Sequence, residues 1–493
     1  MEWIKGKILL MTMALTVIFG VGFTGEVLAL SPEVEELKRM LRQVMEENRR
    51  LAERVSELER RLAAYERERS PVAETAATGA ERPWYERVEV GLSVAGLVQG
   101  VVGVDREAAN LHAHGGREPA GNIGPVITDE DKAYGAAAVD LELSAEFSER
   151  DRAYVLLEMG SGKNPDSEVP SFSGIVDEAL SMVPVETEDG DVRVSEAWYE
   201  REWAFGSGRF RFRFGKIDIT TEVDQNAYAN DENGQFMSPV FVNNAAVEWA
   251  SYSFGMVASY ETERWALTLG YEDADSSWDN LFDYPFLVGQ LAVSTEFLGR
   301  PGNYRFYVWY QGEKHLEWDE LEDYFASGGA RSPENDKAAW GFGLSFDQEV
   351  AEGVGVFLRY GWRGGDLAGY WNGDLTDLDF SYGFEQAASA GISVSGRLWG
   401  REGDELGLGV AWFGISDDYE DYWEAKGVYA ARLGFDPHMH RHEARDEWHL
   451  EVYYRLKAAE HLALTPDLQY TWNPAGLRDD GFWVFTLRGV WEY

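Results

Sequence analysis

The chain has 493 residues with 87 acidic and 44 basic side chains, which gives a formal net charge of −43. A nucleic-acid-binding protein needs a basic face, so we expect no nucleic-acid partner. The chain lacks cysteine, which excludes disulfides and thiolate chemistry, and its 52 glycines and 14% aromatic residues suit long antiparallel sheets. The mean hydropathy of −0.36 is too low for a protein built from several transmembrane helices.

Residues 1–29 have the features of a secretory signal peptide. Lys5 and Lys7 precede an apolar run over residues 8–23, and Ala29 supplies the small residue before a cleavage site. The run is short for a membrane-spanning helix, and a retained N-terminal anchor is the alternative. We therefore expect export, followed either by a soluble state or by insertion as a barrel.

Residues 31–66 contain a heptad repeat with one polar member, Asn48. Its apolar positions are Val34, Leu37, Leu41, Val44, Leu51, Val55, Leu58, Leu62 and Tyr65. A strict seven-residue repeat predicts a parallel oligomeric coiled coil, in which Asn48 at an a position would set the register. A single helix lying on a barrel mouth is the alternative. Residues 67–85 lose the repeat and contain two prolines and a glycine, which predicts a flexible linker.

From residue 86 onward the apolar residues recur at every second position, as they do in a strand with two different faces. In the last segment Trp483, Phe485 and Leu487 share one face, and Thr486 and Arg488 share the other. Bulky apolar faces with rings near the strand ends, backed by polar faces, predict a transmembrane β-barrel with a polar lumen. A soluble secreted β-sandwich is the alternative, and it leaves the regular bulky faces unexplained.

The alternation predicts an all-β, antiparallel barrel of sixteen strands over residues 86–493, surrounded by outer-membrane lipid. The predicted strands are 88–103, 136–147, 152–159, 192–203, 209–217, 247–262, 265–272, 285–297, 304–313, 338–347, 354–362, 388–399, 404–414, 447–457, 462–471 and 481–493. Short and long connections alternate, which is typical of periplasmic turns and outer loops. An even strand number places both ends of the barrel, and hence the coiled coil, in the periplasm.

Residues 215–249 read GKIDITTEVDQNAYANDENGQFMSPVFVNNAAVEW. Together with the coiled coil and the terminal Tyr493, this segment resembles the carbohydrate-selective porin family and its relatives labelled siderophore porins. The matching residues are Gly215-Lys216, Asp224-Gln225-Asn226, Ala229-Asn230-Asp231-Glu232, Gln235-Phe236 and Phe241-Val242-Asn243-Asn244. The resemblance implies a sixteen-strand outer-membrane channel for the diffusion of small polar solutes. Porins of that size pack as trimers, so we expect a homotrimer. The coiled coil favours the siderophore-type relatives.

Residues 218–246 follow the fifth predicted strand and form the third outer loop. In trimeric porins this loop folds into the lumen and narrows it. Glu222, Asp224, Asp231 and Glu232 are then expected to bring negative charge to a pore constriction. An ordinary exposed acidic loop is the alternative.

Eight arginines fall on the polar face of the predicted strands and are expected to form the pore wall. They are Arg209, Arg211, Arg213, Arg305, Arg359, Arg397, Arg455 and Arg488. Opposite an acidic loop, they would set up a field across the pore that orients dipolar solutes. Arginine forks also suit sugar hydroxyls and carboxylates. The alternative is that the arginines only balance acidic residues of the wall. Four aromatic residues share this face: Tyr307, Trp309, Phe357 and Tyr453.

His438, His440 and His442 lie two residues apart in the seventh outer loop and are weak candidates for a metal site. Solvated loop histidines are the simpler interpretation. No catalytic set has a supporting context, so we expect no enzymatic activity and no cofactor. Two other functions stay open: an outer-membrane enzyme such as a lipase, and an envelope tether in which the coiled coil binds a cell-wall partner.

Overall fold

A computed structural model of the chain describes residues 87–103, 132–166, 171–177, 192–297, 299–328, 330–331, 333–370, 382–432, 444–476 and 481–493. The predicted signal peptide, the coiled coil with Asn48, the linker and the three loop histidines His438, His440 and His442 lie outside these residues. Among the helices of the described residues, none has the length and apolar character needed to cross a membrane.

Seventeen strands of the described residues form one antiparallel sheet. They are β1 (Val88–Val102), β2 (Lys132–Ser148), β3 (Asp151–Lys163), β4 (Arg193–Phe205), β5 (Gly208–Ile217), β6 (Ser253–Glu261), β7 (Trp265–Asp273), β8 (Pro285–Phe297), β9 (Arg300–Glu317), β10 (Asn335–Ala351), β11 (Val354–Arg363), β12 (Leu367–Tyr370), β13 (Phe384–Ser395), β14 (Glu405–Ile415), β15 (Glu447–Ala459), β16 (Leu462–Trp472) and β17 (Gly481–Glu492). The short β12 pairs with the end of β9. The other sixteen close into a barrel, which confirms the predicted fold.

The barrel closes where β1 pairs with both β2 and β17. Tyr493 continues this seam beyond β17, because its backbone N–H and C=O both bond to Leu92, at 2.9 and 3.0 Å. Closure leaves the sheet without an unpaired edge, which a barrel in lipid requires.

The two faces of β17 have opposite surroundings. Trp483 and Phe485 are 40% and 53% exposed, whereas Val484 and Thr486, which alternate with them, are buried. The exposed apolar side chains point away from the barrel and form a surface suited to lipid. The predicted faces of this strand are therefore confirmed.

Each of the four aromatic residues of the inner face lies over a glycine of the neighbouring strand. Tyr307 stands opposite Gly343, and Tyr453 stands opposite Gly407. A Cβ atom at either glycine would come closer to the ring than van der Waals contact allows. The missing side chain thus creates the space into which the ring folds flat against the wall. Trp309 over Gly341 and Phe357 over Gly391 repeat the arrangement.

Two predicted strands extend several residues into segments that are not strand. The strand expected over 247–262 begins only at Ser253, because residues 247–252 pack inside the barrel and their apolar character reflects that burial. The strand expected over 388–399 ends at Ser395. A 3-10 turn, Gly396–Trp399, follows it and closes on Gly400, whose positive φ of 76° favours glycine.

In the part of the chain that the structure describes, three α-helices lie in the long connections, where the sequence predicts loops. They are α1 (Pro239–Val242), α2 (Trp318–Ala326) and α3 (Asp417–Arg432). Helix α2 packs against α3 through Trp318. The ring centroids of Tyr419 and Tyr422 of α3 lie 4.9 and 5.0 Å from the centroid of the Trp318 ring. Together with Phe325 and Trp423, these rings form an aromatic core at the outer end of the barrel.

Replacing Gly343 by alanine should destabilise the barrel by about 1–3 kcal/mol, since the new methyl group displaces the Tyr307 ring. The temperature at which the folded band converts to the unfolded band on a gel measures this effect. Gly96→Ala is the matched control, because a Cβ there meets nothing within 4 Å. Equal transition temperatures for the two variants would contradict this role of Gly343.

Candidate channel constriction

The connection between β5 and β6, residues 218–252, is called loop L3 below. After β5 ends at Ile217, Asp218 caps a single 3-10 turn by accepting a hydrogen bond from the Thr220 N–H at 2.9 Å. The chain then runs through the inside of the barrel. Phe236 and Phe241 are buried there, and the Phe236 ring contacts Tyr453 of the wall with centroids 4.9 Å apart. The structure therefore places L3 in the lumen.

Arg359 of β11 is the most densely bonded wall residue that holds L3. Its Nε lies 2.9 Å from a carboxylate oxygen of Asp224, and the side chains of the pair are 1% and 0% exposed. The guanidinium also donates to the backbone carbonyls of Ala229 and Phe241, at 2.6 and 2.5 Å. A buried charge needs such partners, because an unpaired one loses its hydration without compensation.

Two hydrogen bonds and an ion pair hold the Asp224 carboxylate. Its two carboxylate oxygens accept the Tyr307 hydroxyl at 2.9 Å and the Asn244 N–H at 2.7 Å, in addition to the Arg359 contact. Its own N–H donates to Gln290 of β8 at 2.9 Å. The residue adopts a φ of 65°, a conformation that aspartate tolerates better than most residues. These bonds fix one end of L3 across strands β8, β9 and β11.

Glu222 forms a second attachment, to β5. It pairs with Arg211 at 2.5 Å and with Arg213 at 2.9 Å, and Glu200 of β4 bonds to the same two arginines at 3.0 Å. The Arg213 guanidinium lies 3.8 Å above the Trp198 ring, a cation–π contact. Glu222 and these two arginines thus form one ion cluster.

The middle of L3 is attached to the last strands of the barrel. Arg488 of β17 donates to the carbonyls of Glu232 and Gln235, the latter at 2.8 Å. Glu451 of β15 accepts the N–H groups of Met237 and Ser238 at 2.6 and 3.0 Å. The loop is therefore held on opposite sides of the barrel.

A piece of the second outer loop, residues 171–177, supports L3 from above. The Ser173 carbonyl accepts the Ser238 hydroxyl at 2.9 Å. Glu447 of β15 in turn accepts the N–H groups of Ser173 at 2.8 Å and Ala475 at 2.6 Å. One buried carboxylate thus ties two outer connections to the wall beside L3.

Three other predicted wall arginines lie on the inner face of their strands without holding L3 through an ion pair. Arg305 pairs with Asp347 of the neighbouring strand at 2.6 Å. Arg209 is largely exposed and lies 3.4 Å from Glu202. Arg455 is half-buried and lines a cavity described below.

The predicted position of Arg397 on the pore wall is wrong. It lies in the 3-10 turn after β13, where its side chain is 71% exposed and 3.6 Å from Glu402. Asp404 organises this turn, and the hydrogen bonds from Arg401 and then from the Tyr454 hydroxyl hold the pKa of Asp404 at about 2. The turn lies at the short-connection end of the barrel, so Arg397 does not face L3.

An open gap between the acidic loop and the arginine wall is also expected from the sequence. For Glu222 and Asp224 that expectation is wrong. Both acids contact their arginines directly and are buried with them. Their charges are therefore largely neutralised where they sit, and they act as attachments of the loop. Asp231 is exposed and Glu232 is half-buried, so of the four predicted constriction acids Asp231 has the most solvent contact.

Below Asp231 the lumen contains a cavity of about 630 Å³. Acidic side chains line it from β2, as Asp140 and Glu142, and basic ones line it from β15, as Arg455 and Lys457. Glu460 and Glu492 also line it, so its acidic groups outnumber its lysine and arginine. Asp231 faces it from the loop. The part of the channel that solutes contact here thus carries both signs of charge.

A third ion cluster at the end of L3 is not part of the sequence prediction. Glu248 accepts a hydrogen bond from the His315 ring at 2.8 Å and lies 3.3 Å from Arg363 of β11. Arg363 lies four residues after Arg359 on β11 and so on the same, inner face. The alternation of polar and apolar residues along the strand could therefore have identified it. Glu248 gives no such signal, because its role depends on the path of the loop.

A family model described as carbohydrate-selective porin, OprB family, matches residues 142–493. The resemblance to carbohydrate-selective porins that residues 215–249 suggest is thereby confirmed. None of the curated protein sequences matches the chain significantly.

Among solved structures, the chain is similar to OprB of Pseudomonas putida in its high-pH form, with a TM-score of 0.64. The identity is 16%, over 83% of this chain and 95% of that one, so this likeness establishes the fold. The outer membrane channel DcaP of Acinetobacter baumannii is similar with a TM-score of 0.43 at 12% identity, over 82% of this chain and 97% of that one. OccK8 of Pseudomonas aeruginosa follows with 0.41 at 10%, over 83% and 98%.

Replacing Arg359 by alanine should release L3, because it leaves Asp224 buried without its cation, a loss of about 3–5 kcal/mol for a buried pair. We expect larger and noisier single-channel currents in planar bilayers. Adding Asp224→Asn to this variant should restore part of the stability. Arg397→Ala is the control and should leave the conductance unchanged. Currents of wild-type size in Arg359→Ala would show that the pair does not hold the loop.

Proposed function

We propose that this chain, which belongs to the carbohydrate-selective porin family and forms an outer-membrane channel for small polar solutes, prefers uncharged carbohydrates. The observation that carries this proposal is the mixed charge of the lumen cavity under L3. Its volume of about 630 Å³ lies within the range of about 300–1,000 Å³ that is common for small-molecule sites.

The charges of the cavity favour a neutral solute that both donates and accepts hydrogen bonds. Glu142 and Asp231 accept hydrogen bonds, and Arg455 and Lys457 donate them. A sugar hydroxyl satisfies either kind of partner, whereas an ion of either sign pairs with one of the two groups and is repelled by the other. Charge-assisted hydrogen bonds are stronger than neutral ones, so several weak contacts suffice to attract a polyol without trapping it.

A liposome-swelling assay with glucose, glucosamine and gluconate tests the proposal, because these solutes are similar in size and differ in charge. Glucose should enter fastest through the wild-type channel. The double variant Arg455→Ala, Lys457→Ala should raise the entry rate of glucosamine relative to that of glucose. It removes the positive side of the cavity, which repels the glucosamine cation. Arg397→Ala, which removes an exposed arginine outside the lumen, is the matched control.

Faster entry of either charged solute through the wild-type channel would overturn the carbohydrate preference. Faster entry of a ferric chelate would favour the siderophore-type alternative. A reconstituted barrel that passes no solute and no current would favour the envelope tether over a channel.

We also propose that residues 31–66 form a periplasmic parallel coiled coil and that the protein is a homotrimer. The heptad repeat and its single polar a position, Asn48, support the first part. The sixteen-strand size of the barrel supports the second. A free rod of this kind would also offer a surface for a cell-wall partner.

Deleting residues 31–65 should weaken the trimer while leaving the barrel folded, because the heptads supply contacts between subunits. Native mass measurement reports the oligomer, and heat-modifiable migration on a gel reports the barrel. Asn48→Val is a sharper variant, and it should raise the stability of the oligomer while relaxing its register. If the intact protein is monomeric, both the trimer and the role of the coiled coil are wrong.

A further inference from the structure

The outer end of the β7–β8 hairpin carries three carboxylates that the channel does not use. Asp273 is the last residue of β7 and pairs with Pro285, the first residue of β8. Asp275 and Asp283 lie in the connecting loop. One oxygen from each of the three carboxylates lies within 4.8 Å of the other two.

Asp273 is the residue that points to a ligand. Its side chain is fully buried, at 0% exposure, and neither of its carboxylate oxygens has a hydrogen-bond partner. The Ser253 hydroxyl and the Trp278 N–H approach it without reaching hydrogen-bonding geometry. Burial of a carboxylate that no donor reaches is strongly unfavourable, and either a proton or a positive partner relieves it.

Asp275 and Asp283 are themselves negative, and each accepts a backbone hydrogen bond within the loop. Asp275 accepts the Ser277 N–H at 3.0 Å, and Asp283 accepts the Tyr284 N–H at 3.1 Å. In the described part of the chain, none of the three aspartates is in a salt bridge with a lysine, arginine or histidine. Three negative groups thus converge with their charge uncompensated.

We propose that Asp273, Asp275 and Asp283 bind a calcium ion at the outer rim of the barrel. Carboxylate oxygens are hard ligands, which favours calcium or magnesium over softer metals. Because the three oxygens lie within 4.8 Å of one another, a single ion can contact all of them. Calcium accepts several carboxylates in a flexible geometry, whereas magnesium demands a near-octahedral shell and usually binds only one or two carboxylates.

The ion would bind the β7–β8 connection to the end of strand β7. Asp275 and Asp283 belong to opposite arms of the connection, and Asp273 belongs to the wall. Binding at these three points would therefore order the loop and raise the stability of the folded barrel by mass action.

Terbium luminescence of the purified full-length protein in detergent tests the site, because Tb³⁺ replaces Ca²⁺ and is excited through a nearby indole. Trp278 lies in the same loop and is 52% exposed. We expect a saturable signal that Ca²⁺ displaces at lower concentration than Mg²⁺. Asp273→Asn should weaken Tb³⁺ binding at least about tenfold, since it removes the buried ligand. Asp279→Asn, in the same loop but outside the cluster, is the matched control.

Asp283→Asn is the second ligand variant, because Asp283 is exposed and its replacement should not disturb folding. Ca²⁺ should raise the temperature at which the folded band converts to the unfolded band in the wild-type protein and in Asp279→Asn. It should not change that temperature in either ligand variant. Equal Tb³⁺ affinity in wild-type protein and Asp283→Asn, or an equal Ca²⁺ shift in both, would overturn the site. Glucose entry into liposomes should be the same with Ca²⁺ or with chelator, which keeps this result separate from the carbohydrate proposal.

Discussion

The arrangement of the channel depends on how one buried cation is satisfied. Arg359 sits on the inner wall where no water reaches it, so its guanidinium must find all of its partners in protein. Asp224 supplies the charge, and carbonyl groups of L3 supply the remaining acceptors. Satisfying the arginine and folding the loop into the lumen are therefore the same event. The other attachments, at Glu222, Arg488 and Glu451, extend that one solution across the barrel.

Glycine gives the loop its place against the wall. Rings of L3 lie over Gly355 and Gly409, and Asn244 lies over Gly361, so any side chain at these positions would occupy the space of the loop. Wall aromatics such as Tyr307 use glycines of adjacent strands in the same way. The high glycine content thus has a specific cause. It allows a wall of close-packed strands to accept a second layer of protein inside, while the outer face keeps its large side chains for lipid.

The barrel could be predicted from the sequence because each strand carries its own signal, the difference between a face that meets lipid and a face that does not. The same parity places Arg359 on the inner face. It does not identify the partner of Arg359, the carbonyl of Ala229, which lies 130 residues away in the sequence. The Arg397 error arose from extending that parity past a turn at Gly396. Helix α3 lies where the strand pattern predicts only a long connection, although Tyr419, Tyr422 and Trp423 recur at helical spacing. Contacts inside the lumen depend on the path of L3, which no local pattern determines.

The seam between Leu92 and Tyr493 also constrains the order of assembly. These residues are about 400 positions apart, so the first strand must wait for the last before the cylinder can close, a very non-local contact. L3 depends on the same late strands, because Arg488 and Glu451 hold its middle. A nascent barrel that lacks β15 to β17 would have neither a sealed wall nor the attachments that hold the middle of L3. Closure of the barrel and completion of the constriction would then depend on the same strands.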